Sequence, residues 1–175
     1  MQFKFDHDTD TLVPFLLKAQ QYIQDKLIPG NNEELLNKCK FIITEFCING
    51  IKHSGERQSF FDIYLDNRRL VIEKKDHGSP FRPKAYNKQM TLPLAETVDT
   101  IILMEDDYNR LNMQRIDEYS VRFYVENIHS AHTYKQQVIN EHFGLIIICC
   151  SSDSFIYRHH AHDGLNIFTA SIQLL

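Results

Sequence analysis

The feature that most constrains the fold is a long amphipathic helix predicted between Asn32 and Ser54. Its apolar residues recur every three to four positions, as in a helix with one buried face: Leu35, Cys39, Ile42, Ile43, Phe46 and Gly50. Asn32 is a suitable N-cap, and His53-Ser54-Gly55 ends the helix. We therefore expect this segment to bury one face in the core.

A polar row runs beside that buried face. Glu45, Asn49, Lys52 and His53 are one and two helical turns apart, so their side chains point into the same space. A carboxylate, an amide and two bases on one helix edge can hold a metal ion and polyphosphate. The alternative is a helix whose exposed edge is simply polar. Two further segments bear on this choice.

The first of them is a glycine turn after a predicted strand, Asp76-His77-Gly78-Ser79-Pro80-Phe81-Arg82-Pro83. Gly78 allows a backbone conformation or a close ligand approach that a side chain would block. Asp76, at the strand end, can accept a hydrogen bond from the exocyclic amine of a purine, which would favour adenine over guanine. The alternative is a rigid loop with a capping aspartate.

The second segment is a buried helix predicted over residues 136–151, which contains Gly144-Leu145. A glycine near such a junction lets phosphate approach a helix N-terminus, where free backbone N–H groups favour anions. One glycine before an apolar run is also commonplace in proteins that bind no phosphate.

The remaining pattern predicts one α/β domain over residues 1–175, without repeats or an interdomain linker. The other predicted elements are a strand at 2–6, a helix at 10–28 ended by Pro29-Gly30, a hairpin of 60–65 and 70–74, a short helix near Val98–Met104, a strand at 119–125 and a hairpin of 154–158 and 165–174.

Charge and composition exclude several classes. The net charge is 19 − 23 = −4, which argues against nucleic acid or an anionic membrane as a partner. The longest apolar run, 143–150, is far shorter than the roughly 20 residues of a membrane span. Four cysteines without disulfide or zinc spacing indicate buried thiols in a reducing cytoplasm. The cluster His159, His160, His162 and Asp163 is interpreted as a solvated hairpin tip, with a metal site as the alternative.

Taken in this order, the motifs resemble the ATPase domain shared by gyrase, heat-shock chaperone, histidine kinase and mismatch-repair proteins (the GHKL ATPases), especially its bacterial anti-sigma-factor serine kinase branch. The helix matches the pattern Glu-x-x-x-Asn-x-x-Lys-His, and the turn matches Asp-x-Gly-x-Pro-Phe-x-Pro. The further matching residues are Gly144-Leu145, Asp153, Gly164 and Asn166.

The resemblance implies a histidine-kinase-like ATPase fold, an α/β (α+β) two-layer sandwich with a mixed, largely antiparallel sheet backed by helices. It implies that Asn49 binds Mg²⁺, Glu45 is the general base and Asp76 contacts adenine of ATP. The residues that would complete the ATP site are Lys52, His53, Gly78, Phe81, Gly144 and Leu145. The implied partners are a sigma factor or a small antagonist protein that receives the γ-phosphate on a serine, and a second copy of the chain.

Two departures from the family support an alternative. The phosphate lid of the family carries several glycines, where this chain has Ile139-Asn140-Glu141-His142-Phe143. The segment 82–142 is also a long insert, and it includes the strand predicted at 119–125. The alternative is a non-catalytic protein-binding module of the same fold, whose extra strand pairs with the sheet, with a second copy or with a partner.

Overall fold

The computed structural model describes residues 1–27, 32–85, 88–89, 92–95, 99–128 and 143–174, which form an eight-stranded sheet, a two-stranded sheet and three α-helices. The helices are α1 (Thr9–Tyr22, continued by a π-helical turn at Ile23–Leu27), α2 (Glu33–His53) and α3 (Phe143–Ser151). The strands are β1 (Gln2–Asp6), β2 (Gln58–Asp66), β3 (Arg69–Asp76), β4 (Lys84–Ala85), β5 (Lys88–Gln89), β6 (Thr100–Glu105), β7 (Asn109–Asp117), β8 (Ser120–Asn127), β9 (Ser154–His160) and β10 (Leu165–Gln173).

The large sheet has the strand order β1-β2-β3-β10-β9-β8-β7-β6. Every described pair of neighbouring strands is antiparallel. The α+β architecture predicted from the sequence is confirmed at this level. The expectation of a mixed sheet is wrong for the described strands, because hairpins and long returns, rather than parallel crossovers, connect all of them.

The insert lengthens the sheet. β8 pairs with β9, with Ser120 opposite Arg158 and Phe123 opposite Phe155, and β7 and β6 follow beyond it. Of the three placements expected for the strand at 119–125, the chain's own sheet is the one observed. The short helix predicted near Val98–Met104 is wrong, since Thr100–Glu105 is a strand with a bulge between Ile102 and Met104.

Aromatic side chains join the helices to one face of the sheet. The Phe46 ring on α2 has centroid distances of 6.3, 5.8 and 6.2 Å to the rings of Phe61, Phe155 and Phe168. These residues stand on β2, β9 and β10, so α2 lies across the middle of the sheet. Lys74 and Asp76 point to the same face at the end of β3, where apolar packing gives way to polar groups.

The ends of α2 agree with the sequence prediction. The Asn32 side chain accepts a hydrogen bond from Leu35 N at 3.3 Å, and Ser54 N donates to Gly50 O at 3.2 Å. The helix predicted at 136–151 is described from Phe143, and its first seven residues, like Pro29-Gly30, fall outside the described residues. No described helix combines the length and apolar character needed to cross a membrane.

The four cysteines are free thiols. Cys39 and Cys47 lie on the buried face of α2, and burial raises the pKa of Cys39 to about 12. Cys149 is half-buried and Cys150 is exposed. The prediction of buried thiols is therefore correct for α2 and wrong for Cys150, because α3 turns that position outward.

Candidate functional site

A cavity of about 690 Å³ lies between α2, the loop after β3, the first turn of α3 and the ends of β3 and β10. Three sequence segments that are far apart in the chain converge on it. Eight of the nine site residues predicted from the sequence line this one cavity: Glu45, Asn49, Lys52, His53, Asp76, Phe81, Gly144 and Leu145. The ninth, Gly78, lies beside it.

At one end of the cavity, α2 and α3 are in close contact. A Cβ atom added to Gly144 would lie 2.5 Å from Glu45 Oε2 and 3.6 Å from Asn49 Nδ2. Both side chains therefore reach the same point above the first turn of α3. Any side chain at position 144 would displace the Glu45 carboxylate, so Gly144 helps to position the proposed base in addition to its predicted role toward phosphate.

The Glu45 carboxyl is electrostatically suited to accept a proton. Burial raises its pKa, and the nearby positive charge of Lys52 offsets that rise only in part. A carboxylate with a raised pKa is a stronger base than an exposed one, which is the property that general-base catalysis needs.

At the other end, Asp76 is held by three donors. Its Oδ1 accepts from Gly78 N at 3.0 Å and from Asn166 Nδ2 at 3.1 Å, and its Oδ2 accepts from the Lys74 ammonium. Burial opposes ionisation, but the charge of Lys74 and these hydrogen bonds outweigh it, so the pKa of Asp76 is lowered. Asp76 is therefore a buried carboxylate, as the sequence interpretation requires.

Lys74 is the site residue that sequence reasoning missed. Its side chain is 4% exposed and borders the cavity, and its Nζ atom lies 5.4 Å from the centroid of the Phe168 ring. The signal was present in the alternation of β3, where Leu70, Ile72, Lys74 and Asp76 share the inward face. A lysine at an inward position of a core strand indicates a buried charge that needs a partner.

A hydrogen-bond network supports the Asp76 end. The Tyr157 hydroxyl donates to Asn166 Oδ1 at 2.8 Å and accepts from Phe81 N at 2.9 Å. Asn166 in turn donates to Asp76 and to Gly78 O. Burial raises the pKa of Tyr157, so its hydroxyl stays protonated. The network fixes the Phe81 loop relative to Asp76.

Gly78 is required by packing. A Cβ atom there would lie 2.0 Å from Ser54 O, a backbone atom at the end of α2, and Ser79 N donates to the same carbonyl at 3.2 Å. The positive φ angles among the described glycines occur at Gly55 and Gly164. The structure thus shows a close approach of Gly78 to the protein backbone, and the approach of a ligand to Gly78 stays a prediction.

The His7 ring contacts the C-terminal end of α2 and the residues that follow it. Its Nδ1 lies 2.7 Å from Glu56 O and 3.0 Å from Ser54 Oγ, and its Nε2 lies 3.1 Å from Ser59 Oγ. Because a carbonyl can only accept, Nδ1 carries the proton in the neutral ring. Gly50 makes room for this ring, since a Cβ atom there would lie 2.8 Å from His7 Nε2.

The histidine cluster at the hairpin tip divides between two environments. His159 Nδ1 lies 2.9 Å from Asn166 Oδ1, and His160 is the last residue of β9, whereas His162 and Asp163 belong to the turn between β9 and β10. Within the part of the chain that the structure describes, no group of three His, Cys, Asp or Glu side chains is placed to hold a metal ion.

No protein-family model matches the chain, and no curated protein matches it. The GHKL resemblance therefore depends on the sequence motifs alone and stays a prediction.

Proposed function

We propose that the cavity binds a magnesium–nucleotide complex and that the chain is a regulator of the anti-sigma-factor serine kinase type. The observation that carries the proposal is the convergence of eight predicted residues from three distant segments on one cavity. Its volume of about 690 Å³ is within the range of roughly 300–1,000 Å³ that small-molecule sites occupy.

The cavity has two chemically different ends. Ser54 follows the last residue of α2, and its carbonyl lies against the turn after Asp76. Glu45 lies nine residues before Ser54, which corresponds to about 13 Å along the helix at 1.5 Å per residue. Asn49, Lys52 and the first turn of α3 make the Glu45 end suitable for polyphosphate. Asp76, with the rings of Phe81 and Phe168, makes the other end suitable for a base.

A magnesium ion fits this site without a cluster of acidic ligands, because Mg²⁺ at nucleotide sites takes most of its oxygens from phosphate and water. The amide oxygen of Asn49 would be its protein ligand, and the ion would neutralise charge on the phosphates. Glu45 would accept the proton of a serine hydroxyl on the partner protein.

Mg-ATP binding is tested by thermal shift and by calorimetric titration. A ligand at about 100 times its dissociation constant adds ~2.7 kcal/mol to the free energy of unfolding. We expect wild type to be stabilised, Asn49→Ala to bind more weakly, and the control Asn127→Ala, at the exposed end of β8, to behave as wild type. An unchanged melting temperature in millimolar Mg-ATP would contradict the proposal.

Phosphoryl transfer is tested with γ-labelled Mg-ATP in native-cell extract, by following label onto serine of a small protein. General-base catalysis contributes about 10²–10⁴-fold, so Glu45→Gln should lose transfer by that factor and keep its nucleotide affinity. Glu33→Gln makes the same chemical change on α2 outside the cavity and should retain transfer. Full activity of Glu45→Gln would remove Glu45 from the mechanism.

A second candidate function is a non-catalytic protein-binding module. The observation that favours it is the insert, which builds β6, β7 and β8 as an extension of the sheet. In this case wild type shows no shift with Mg-ATP, and a pull-down from the native cell recovers a sigma factor or a small antagonist protein. Recovery of a partner that depends on Mg-ATP would support the first proposal instead.

A further inference from the structure

The base end of the cavity presents a hydrogen-bond donor beside an acceptor. The Lys74 ammonium carries three N–H donors. Among the described residues, the acceptor in contact with it is Asp76 Oδ2. Lys74 is buried, borders the cavity and lies over the Phe168 ring, and a remaining N–H donor can serve an acceptor on a bound ligand.

Asp76 also has capacity left. An ionised carboxylate offers about four lone-pair sites, and Lys74, Gly78 and Asn166 occupy three of them. A ligand in the cavity can therefore place one donor on Asp76 and one acceptor on Lys74. The two groups act side by side because they alternate on β3 with one residue between them.

Both types of purine satisfy such a pair. The 6-amino group of adenine can donate to Asp76 while N1 accepts from Lys74. The 6-oxo group of guanine or hypoxanthine can accept from Lys74 while N1–H donates to Asp76. This pose is displaced from that of adenine, because the six-position then faces Lys74 and N1 faces Asp76. A carboxylate alone would instead face the 6-oxygen with a second acceptor, and that mismatch is the basis of the adenine preference predicted from Asp76 alone.

We propose that Lys74 makes the base end of this cavity accept 6-oxo purine nucleotides as well as adenine nucleotides. The inference depends on the proposed nucleotide-binding function and identifies the class of nucleotide that the site takes. Lysine is also a common partner of the oxygen and nitrogen acceptors on guanine, which agrees with this role.

The test compares Mg-ATP, Mg-ITP and Mg-GTP by calorimetric titration. ITP is the sharpest probe because its base differs from adenine only at C6 and N1. We expect the dissociation constants of wild type for ATP and ITP to agree within about threefold. A lone carboxylate would separate them by about 5–150-fold, the equivalent of one unsatisfied polar group.

Two lysine variants give the matched comparison. Lys74→Met removes the donor and should raise the preference for ATP over ITP by about fivefold or more, whereas Lys74→Gln keeps N–H donors and should leave the ratio near one. Lys52→Met removes a lysine at the phosphate end, so it should weaken all three nucleotides equally and preserve the ratio. Circular dichroism melting checks that each variant is folded.

The outcomes separate the two proposals. A wild-type preference for ATP over ITP above tenfold would overturn the role of Lys74, even if no variant folds, and would leave nucleotide binding intact. An unchanged ratio in folded Lys74→Met would do the same. If wild type binds none of the three nucleotides, the proposed function fails and this inference fails with it.

Discussion

At the scale of single residues, the tightest backbone crossing near the site is at Gly78. A Cβ atom there would lie 2.0 Å from Ser54 O, so the loop or the end of α2 must move. We expect Gly78→Ala to lower the free energy of unfolding by about 3 kcal/mol, the upper part of the usual range for overpacking. Chemical denaturation without nucleotide measures it.

Gly55→Ala is the matched control for that substitution. Gly55 has a φ of +73° and no atom within 4 Å of an added Cβ, so its cost is conformational, about 1 kcal/mol. Equal decreases in the free energy of unfolding for Gly78→Ala and Gly55→Ala would show that the loop at Gly78 moves away from Ser54 O without further cost.

His7 gives the protein a stability that depends on pH. Burial lowers its pKa, the charge of Lys74 adds to this effect, and the Glu56 carbonyl and the charges of Asp76 and Glu56 oppose it. The unfolded state therefore binds more protons than the folded state as the pH falls from about 6.5, the ordinary pKa of histidine. We expect the free energy of unfolding to decrease as the pH falls through that region.

The measurement is denaturation of wild type and His7→Gln between pH 8 and 5. The variant should show a shallower loss with falling pH, and His162→Gln, on the exposed turn, should follow wild type. A wild-type slope retained in His7→Gln would assign the pH dependence to other groups.

At the scale of elements, the insert is part of the core of the sheet. The Phe123 ring on β8 has centroid distances of 4.8 Å to Phe155 and 5.5 Å to Phe81. We expect Phe123→Ala to cost about 3–5 kcal/mol, as for other buried aromatic residues, and to weaken nucleotide binding through the Phe81 loop.

Tyr124→Ala is the control, because Tyr124 is the next residue in β8, is only half-buried and points to the opposite face of the sheet. It should cost much less in unfolding free energy and should leave nucleotide affinity unchanged. If Phe123→Ala were as mild as Tyr124→Ala, the insert would be an independent flap on the sheet.

The sequence predicted elements well where their pattern is local. The periodicity and caps of α2 and the alternation of β2 and β3 are complete within each segment. β6 was mistaken for a helix because its short apolar run does not distinguish the two periods, and its pairing with β7 is decided elsewhere in the chain. Lys74 was missed for a related reason. A charged residue near the end of a strand is usually exposed, and its burial is evident only when the helices that pack over the sheet are known.

At the scale of the whole molecule, one core connects the first helix to the insert. A series of ring contacts runs from α1 through α2 to β8, with centroid distances of 4.9, 6.3, 5.8 and 4.8 Å: Phe15–Phe61, Phe61–Phe46, Phe46–Phe155 and Phe155–Phe123. Among the described residues, all the buried hydrophobic side chains except Val71 belong to one cluster. Loss of packing at either end should therefore spread to the other.

We expect unfolding in denaturant to be one cooperative transition. Far-ultraviolet circular dichroism, which follows the backbone, and near-ultraviolet circular dichroism, which follows the tyrosine and phenylalanine packing, should give the same midpoint. A near-ultraviolet transition at clearly lower denaturant would contradict a single transition, because it would mean that the aromatic packing is lost while the secondary structure remains.

The bulge in β6 has a consequence for how molecules of this protein behave in crowded solution. An open sheet ends in two strands, each with a row of backbone groups that another chain can use as a template. Here β1 is five residues long with exposed Lys4 and Asp6, and β6 is interrupted between Ile102 and Met104. A second copy that paired with β6 would lose its hydrogen-bond register with β6 after two or three residues. The chain thus adds strands to its own sheet and at the same time discourages fibre growth from the new border.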